Sequence, residues 1–191
     1  MAIFKKVTPP AEEPVALGDA RVFLRVSGTE EDGLIARLLA GARERVEEAT
    51  GRALMEQTWR MSADLSEGVA RGAFTSFRLR RPPFLGFVEA RVAKADGTSA
   101  AVALDDVRTE ADAETVWLRL TGAALAGARA WRPVEIVWRA GYADAAAVPD
   151  ALKTAILMLV AEAYERQGSI GAPEAMAKVA GMIAAFRVRP R

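Results

Sequence analysis

The sequence predicts an α+β protein in which N- and C-terminal helices form a helical bundle and a strand-rich antiparallel insertion occupies the middle. Apolar residues recur at helical spacing from Thr29 to Thr50 and again from Val148 to Gln167. Between these segments, several short runs alternate apolar and polar residues with the two-residue period of a strand. Gly51 breaks the first helical pattern just ahead of the first such run, Gln57 to Met61. With 191 residues, the chain can bury a sizeable core and fits one domain, or one domain carrying a substantial insertion. The expected division is an extended N-terminal arm at 1–14, a helical domain at 15–53 and 148–186, a β-rich insertion at 54–147 and a C-terminal tail at 187–191.

Taken in order, the arm carries Pro9, Pro10 and Pro14 with Lys5 and Lys6, a composition that resists helix. Leu17 to Val26 reads as a short helix, and Ser27 and Thr29 are both placed to cap the next one. In that next helix Leu34, Ile35, Leu38, Leu39, Ala42, Val46 and Ala49 fall within an arc of roughly 140°, opposite Arg37, Glu44, Glu47 and Glu48. Met55, Gln57, Trp59, Met61 and Ala63 then alternate as a strand. Further strands are expected at Thr75–Arg80, Phe87–Ala95, Thr115–Leu120 and Pro133–Arg139, with Asp105–Glu114 as an acidic, turn-prone interval. Pro149 suits the first turn of a helix that is apolar almost all the way round, with Leu152, Ile156, Leu159 and Ala163 on one side and Leu157, Val160 and Tyr164 beside them. Gly168 and Gly171 end it, and Pro173 starts a last helix containing Met176, Val179, Ile183 and Phe186.

Composition removes most chemistries. The 26 basic and 25 acidic side chains leave a net charge of +1, so no global field attracts DNA or acidic lipid. Any nucleic-acid contact must come from local patches, and the candidates are Arg78, Arg80 and Arg81 in RLRR and the terminal RVRPR. With no Cys and no His, thiolate nucleophiles, disulfides, Cys/His zinc sites and the usual pH switches are absent. The first residues carry two lysines but no apolar run, and Ala155–Ala161 is too short to span a bilayer, so a soluble protein without membrane contact is expected.

No motif supplies a catalytic centre. Neither GxxxxGK[ST] nor GxGxxG occurs, which counts against a packaging ATPase. Pro149-Asp150 with Lys153 resembles a fragment of a nuclease metal site but lacks a second acid, and a helix start explains both residues. Asp105, Asp106, Glu110, Asp112 and Glu114 match no calcium loop and read as a surface turn. Trp59, Trp117 and Trp138 alternate with aliphatics as core residues do, although Trp117 and Arg119 on one strand face would make a minimal stacking pair. Neither catalytic residues nor a cofactor nor a metal is therefore expected.

The strings GLIARLLAGARERVEEATGRAL, QTWRM, RRPPF, VEIVWRAGYAD and VPDALKTAILMLVAEAYERQG, in this order, resemble the head–tail connector (adaptor) proteins of long-tailed phages and phage-derived gene transfer agents. The likeness runs from Pro14 to Val188 and rests on the order of packing and turn patterns rather than on a catalytic signature. It implies a structural virion protein, not an enzyme, that forms a homo-oligomeric ring of about twelve copies under the portal protein, its contacts closing on themselves. Such a ring extends the channel through which packaged DNA passes and meets a tail-proximal stopper or tail terminator protein. The implied location is the head–tail junction of a virion or virus-like particle, with the host cytoplasm as the site of assembly. On this reading Phe186, Arg187, Val188, Arg189 and Arg191 form a portal-docking tail that is mobile in the free protein. Leu157, Val160 and Tyr164 supply a subunit interface, and Arg78, Arg80 and Arg81 contact DNA or a partner. The alternative from a different class is a nucleic-acid-binding particle assembly factor that sets RLRR and RVRPR on phosphates.

Overall fold

The computed structural model describes all residues except 113, 167–172 and 189–191 and shows a mixed fold of two antiparallel sheets and five helices. The chain divides into two compact units, Met1–Pro9 with Glu56–Gly141 and Pro10–Met55 with Tyr142–Arg191.

Among the described residues, all strands lie in the first unit. Strands β1 (Ile3–Thr8), β2 (Gln57–Ala63), β3 (Val69–Arg71), β4 (Phe74–Leu79), β5 (Phe84–Ala93), β6 (Ser99–Ala101), β7 (Val107–Ala111), β8 (Val116–Thr121) and β9 (Val134–Ala140) form two sheets. Their orders are β1-β2-β9-β5-β6 and β3-β4-β8-β7, and every neighbouring pair is antiparallel. In the five-stranded sheet Trp59 lies opposite Trp138 and Met61 opposite Ile136, with Phe87 and Ala90 continuing that face on β5. Alternation puts Trp59, Met61, Val134, Ile136, Trp138 and Val92 out of water. In the second sheet Phe77, Leu79, Val116, Leu118 and Leu120 do the same.

The N-terminal segment differs from an arm. Ile3–Thr8 is strand β1, in register with Ser62 to Thr58 along β2, and its Phe4 ring meets Trp138 edge-on at 6.3 Å between centroids. The prolines that suggested a bare extended segment follow this strand rather than interrupt it. Asp105–Glu114 is likewise not only a turn: a 3-10 turn at Leu104–Asp106 leads into β7, an edge strand on which only Val107 is buried. Edge strands tolerate such charge, which hides them from pattern reading.

The second unit is helical apart from its connections. Helices α1 (Leu17–Leu24), α2 (Asp32–Thr50), α4 (Asp150–Glu165) and α5 (Pro173–Ala184) surround one apolar core; α3 (Gly122–Leu125) belongs to the other unit, capped by Thr121 Oγ1 on the Ala124 N–H at 3.2 Å. Along α2 the buried stripe is Ile35, Leu38, Leu39, Ala42 and Val46, and it meets Leu152, Ile156, Leu159 and Val160 of α4 and Val179 and Ile183 of α5 in one cluster. Each fully buried aliphatic of this kind stabilises the fold by about 1.5–3 kcal/mol. Neither Ser27 nor Thr29 caps α2; Glu31 precedes its first turn, and the Glu31 carbonyl takes the Leu34 and Ile35 N–H groups at 2.9 Å. Gly51 closes the helix in the left-handed conformation at φ 73°, which a side chain would strain.

Charge is also built into this core. Arg43, only 4% exposed, bonds Glu13 Oε2 through Nε and Glu47 Oε2 through a terminal nitrogen, both at 2.8 Å. Glu47 Oε1 in turn accepts the Leu54 N–H at 2.8 Å, so one buried ion group ties α2 to the chain before α1 and to the chain after α2. Burial pushes the Glu13 carboxyl above its ordinary range, against the opposing pull of Arg43.

Candidate functional site

Among the described residues no three acidic side chains converge to hold a metal ion. The acids singled out in the sequence are occupied locally: Asp106 accepts the Thr121 hydroxyl at 2.6 Å, Glu110 pairs with Arg119, and Asp112 Oδ1 accepts the Glu114 and Thr115 N–H groups. Asp150 and Lys153 pair at 3.4 Å on the first turn of α4. Among the described residues, no helix is long and apolar enough to cross a membrane. Four surfaces on the described residues bear on function.

The first is the RLRR segment at the end of β4. Arg80 lies over the Phe4 ring at 4.5 Å and Arg81 over the Trp59 ring at 5.1 Å, while Lys6 approaches Trp59 at 5.7 Å. Two of the three arginines thus rest on aromatic faces around strand β1, where each cation–π contact contributes about 0.5–1 kcal/mol at an exposed position. Arg78 is separate: in register it faces Trp117 on β8. RLRR is one motif in sequence and two places in the fold.

The second surface is the chain end. Phe186 packs against the helical core and its carbonyl accepts Arg52 Nε at 2.6 Å. The Val188 N–H donates to the Thr50 carbonyl at 2.8 Å, and the Val188 side chain comes within 3.5 Å of where a Cβ on Gly51 would stand. The segment therefore satisfies one carbonyl left open at the end of α2, that of Thr50. The Arg187 N–H meets the Ala184 carbonyl at 3.3 Å and Val188 lies against Thr50 and Gly51, so both residues have partners within the unit. Arg189 and Arg191 lie outside the described residues.

The third surface is the flank of α4. Val160 is fully buried in the core of its own unit and is not available to a neighbour, whereas Leu157 and Tyr164 are partly exposed. The apolar periphery of α4 was legible in the sequence, but not which side of it the other helices cover. The Tyr164 hydroxyl donates to Glu31, a bond that raises the tyrosine pKa. Sequence reasoning placed α1 but not its exposed apolar groups, Val22 at 79% exposed and Phe23 at 45%. Those two, beside the charged Asp19 and Arg21, are the apolar groups most in need of cover on this unit, and the short length of α1 left too little periodicity to show it.

The fourth surface is the outer face of the four-stranded sheet. Strand register places Val69 and Arg71 of β3, Ser76 and Arg78 of β4, Trp117 and Arg119 of β8 and Arg108 and Glu110 of β7 on one side. Opposite positions include Arg78 with Trp117, Ser76 with Arg119, and Arg119 with Arg108. Around Trp117 the face dips into a depression of about 180 Å³ lined by Val69, Arg71, Ser76, Glu110, Trp117 and Arg119. The pairing of Trp117 with Arg119 was visible in the sequence; the contribution of Arg71 and Arg108 depends on strand order.

No family model matches the chain, and no curated protein does. Solved structures do. The chain is similar to a component of the neck of an empty GTA particle computed with C6 symmetry, at TM-score 0.72 and 24% identity, covering 99% of this chain and 97% of that one. It is similar over the same share of both chains, again at 24% identity, to components of the virion of a native gene transfer agent (GTA) particle, TM-score 0.70, and of the neck of a native GTA particle computed with C12 symmetry, TM-score 0.69. This chain therefore shares its whole fold, both units included, with components of gene transfer agent particles.

Proposed function

We propose that this protein is a head–tail adaptor: a structural, non-enzymatic component of the neck of a phage-derived particle. It forms a ring under the portal, extends the DNA channel and joins the DNA-filled head to the tail. The observation that carries this reading is the likeness to GTA neck components along 99% of the chain, because it includes the strand-rich unit as well as the helices. The order of sequence strings that resembles adaptors supports it independently of the coordinates.

The C12 symmetry of one neck structure supports a ring of about twelve copies. In that ring the helical bundle supplies the repeating contacts, with Val22 and Phe23 of α1 and Leu157 and Tyr164 of α4 as its apolar elements. Contacts between copies are heterologous and close after a full turn, so many weak interfaces act together on the portal without any bond being made or broken. Phe186 and Val188 act as an anchor that holds the chain end against α2, and Arg187, Arg189 and Arg191 present charge to the portal from that anchor. The partner on the other side of the ring is a stopper or tail terminator protein. The place of action is the head–tail junction, reached by assembly in the host cytoplasm.

The test is genetic. A chain ending at Val188 with Arg187→Glu keeps the contacts to Thr50 and Arg52, so its melting temperature is expected to match the parent. Particle production with this variant is expected to stop at packaged heads without tails. Normal yields of tailed particles would remove the portal-docking role of the tail, and tailed particles from a strain lacking the whole protein would remove the adaptor reading.

A further inference from the structure

We propose that the outer face of the four-stranded sheet binds the phosphate backbone of double-stranded DNA. Four arginines, Arg71, Arg78, Arg108 and Arg119, stand on this face, where the strand register also places Glu110, paired with Arg119. Asp106, on the turn before β7, accepts the Thr121 hydroxyl. In a chain whose net charge is only +1, this is a local concentration of positive charge rather than a share of a general one.

The arrangement suits phosphates more than bases. Same-face residues on a strand are about 6.7 Å apart and adjacent strands about 4.8 Å, so the arginines form a two-dimensional array that several phosphates of a duplex can meet at once. Arg71, Arg119 and the Ser76 side chain also line the depression beside Trp117, where one phosphate oxygen can be met by charged and neutral donors together. Trp117 is only partly exposed and sits between Arg78 and Glu110 on the flanking strands. That leaves less open ring than a stacking platform for single strands needs. Bare charge would also suit an acidic protein segment, and the test separates the two.

The choice of duplex rests on the adaptor reading, in which packaged DNA runs past the ring; binding itself is a property of the isolated chain and is measured apart from any particle. Fluorescence anisotropy with a labelled duplex of about 25 base pairs, between about 50 and 200 mM salt, is expected to show binding that weakens with a log–log slope of about −3. Arg71→Glu with Arg108→Glu, both at exposed positions, is expected to lower affinity by about tenfold or more and to reduce the slope by about two. A charge-matched control in the helical unit, Arg37→Glu with Lys178→Glu, is expected to change affinity less than about twofold. The milder pair Arg71→Gln with Arg108→Gln keeps the test readable if the acidic pair misfolds, with the same direction expected. No duplex binding at the lowest salt, equal loss in the control, tighter binding to the matching single strand, or equal displacement by poly-glutamate would each overturn the proposal. Failure here leaves the adaptor reading to the genetic test, and tailed particles from a strain lacking the protein, with duplex binding by the isolated chain intact, separate the two in the other direction.

Discussion

Arg43→Met is expected to lower the free energy of unfolding by about 3–5 kcal/mol near neutral pH. The guanidinium is 4% exposed and serves two carboxylates at 2.8 Å, so its removal leaves Glu13 and Glu47 without their shared cation. Met fills much of the volume, which makes the loss electrostatic rather than a cavity effect. The pH dependence follows from Glu13, whose carboxyl is already held above its ordinary range by burial even with Arg43 beside it. A folded carboxyl that binds its proton more tightly than the unfolded one favours folding below its unfolded pKa, and that contribution is lost as pH rises through the folded pKa. Without Arg43 the gap widens. The deficit of the variant is therefore expected to shrink on acidification from neutral into the carboxylate range. Denaturant titrations of parent and variant at several pH values measure this. A deficit under about 1 kcal/mol at neutral pH, or one independent of pH, would show that water reaches the cluster and screens it.

Trp138→Ala should produce a loss of similar size, about 3–5 kcal/mol, from a different cause. The ring is 1% exposed in the centre of the five-stranded sheet, opposite Trp59 on β2 and Phe87 on β5, with Phe4 against its edge. Removing it opens a cavity bordered by three strands that hydrogen bonding holds in place, so the site can collapse only in part. Trp59→Ala is expected to fall at the lower end of the same range. Trp59 is 8% exposed, and Lys6 and Arg81 lie over its ring, where they can move inward. Equal melting temperatures for parent and Trp138→Ala would contradict the packing of this sheet.

These two residues mark what local pattern reveals. Trp59 and Trp138 read as core positions because strand alternation repeats within a few residues, and the stripe on α2 reads as a buried face because Ile35, Leu38, Leu39, Ala42 and Val46 repeat at helical spacing. Signals of this kind need no knowledge of the partner. The strands at the sheet edges were harder. Strands at Thr75–Arg80 and Thr115–Leu120 were visible by alternation, but β3, β6 and β7 are short, largely exposed and charged or Ala-rich, with little apolar pattern to read. The pairing of β1 with β2 joins residues fifty or more positions apart, and nothing in the Pro-rich start of the chain specifies it.

The surfaces follow the same division. Arg80 and Arg81 adjoin in sequence with Arg78 close by, yet the first two rest on Phe4 and Trp59 while the third faces Trp117. Arg71, Arg108 and Arg119 are scattered in sequence and become neighbours only through the order β3-β4-β8-β7. Val160 shows the converse. On a helix that is apolar nearly all round, composition cannot separate the side that meets α2 and α5 from the side those helices leave uncovered. The chain end is intermediate: Phe186 was identifiable as the last apolar anchor, but its return to the end of α2 through Arg52 and Thr50 required the fold.

The most direct measurement of the central claim is electron microscopy of particles assembled with this chain, reconstructed without imposed symmetry at the head–tail junction. The expected result is a ring of about twelve copies in the neck, between portal and tail, whose density accepts both the helical unit and the two-sheet unit. Density for this chain in the capsid shell or tail tube, or a complete neck in particles that lack it, would contradict the adaptor reading.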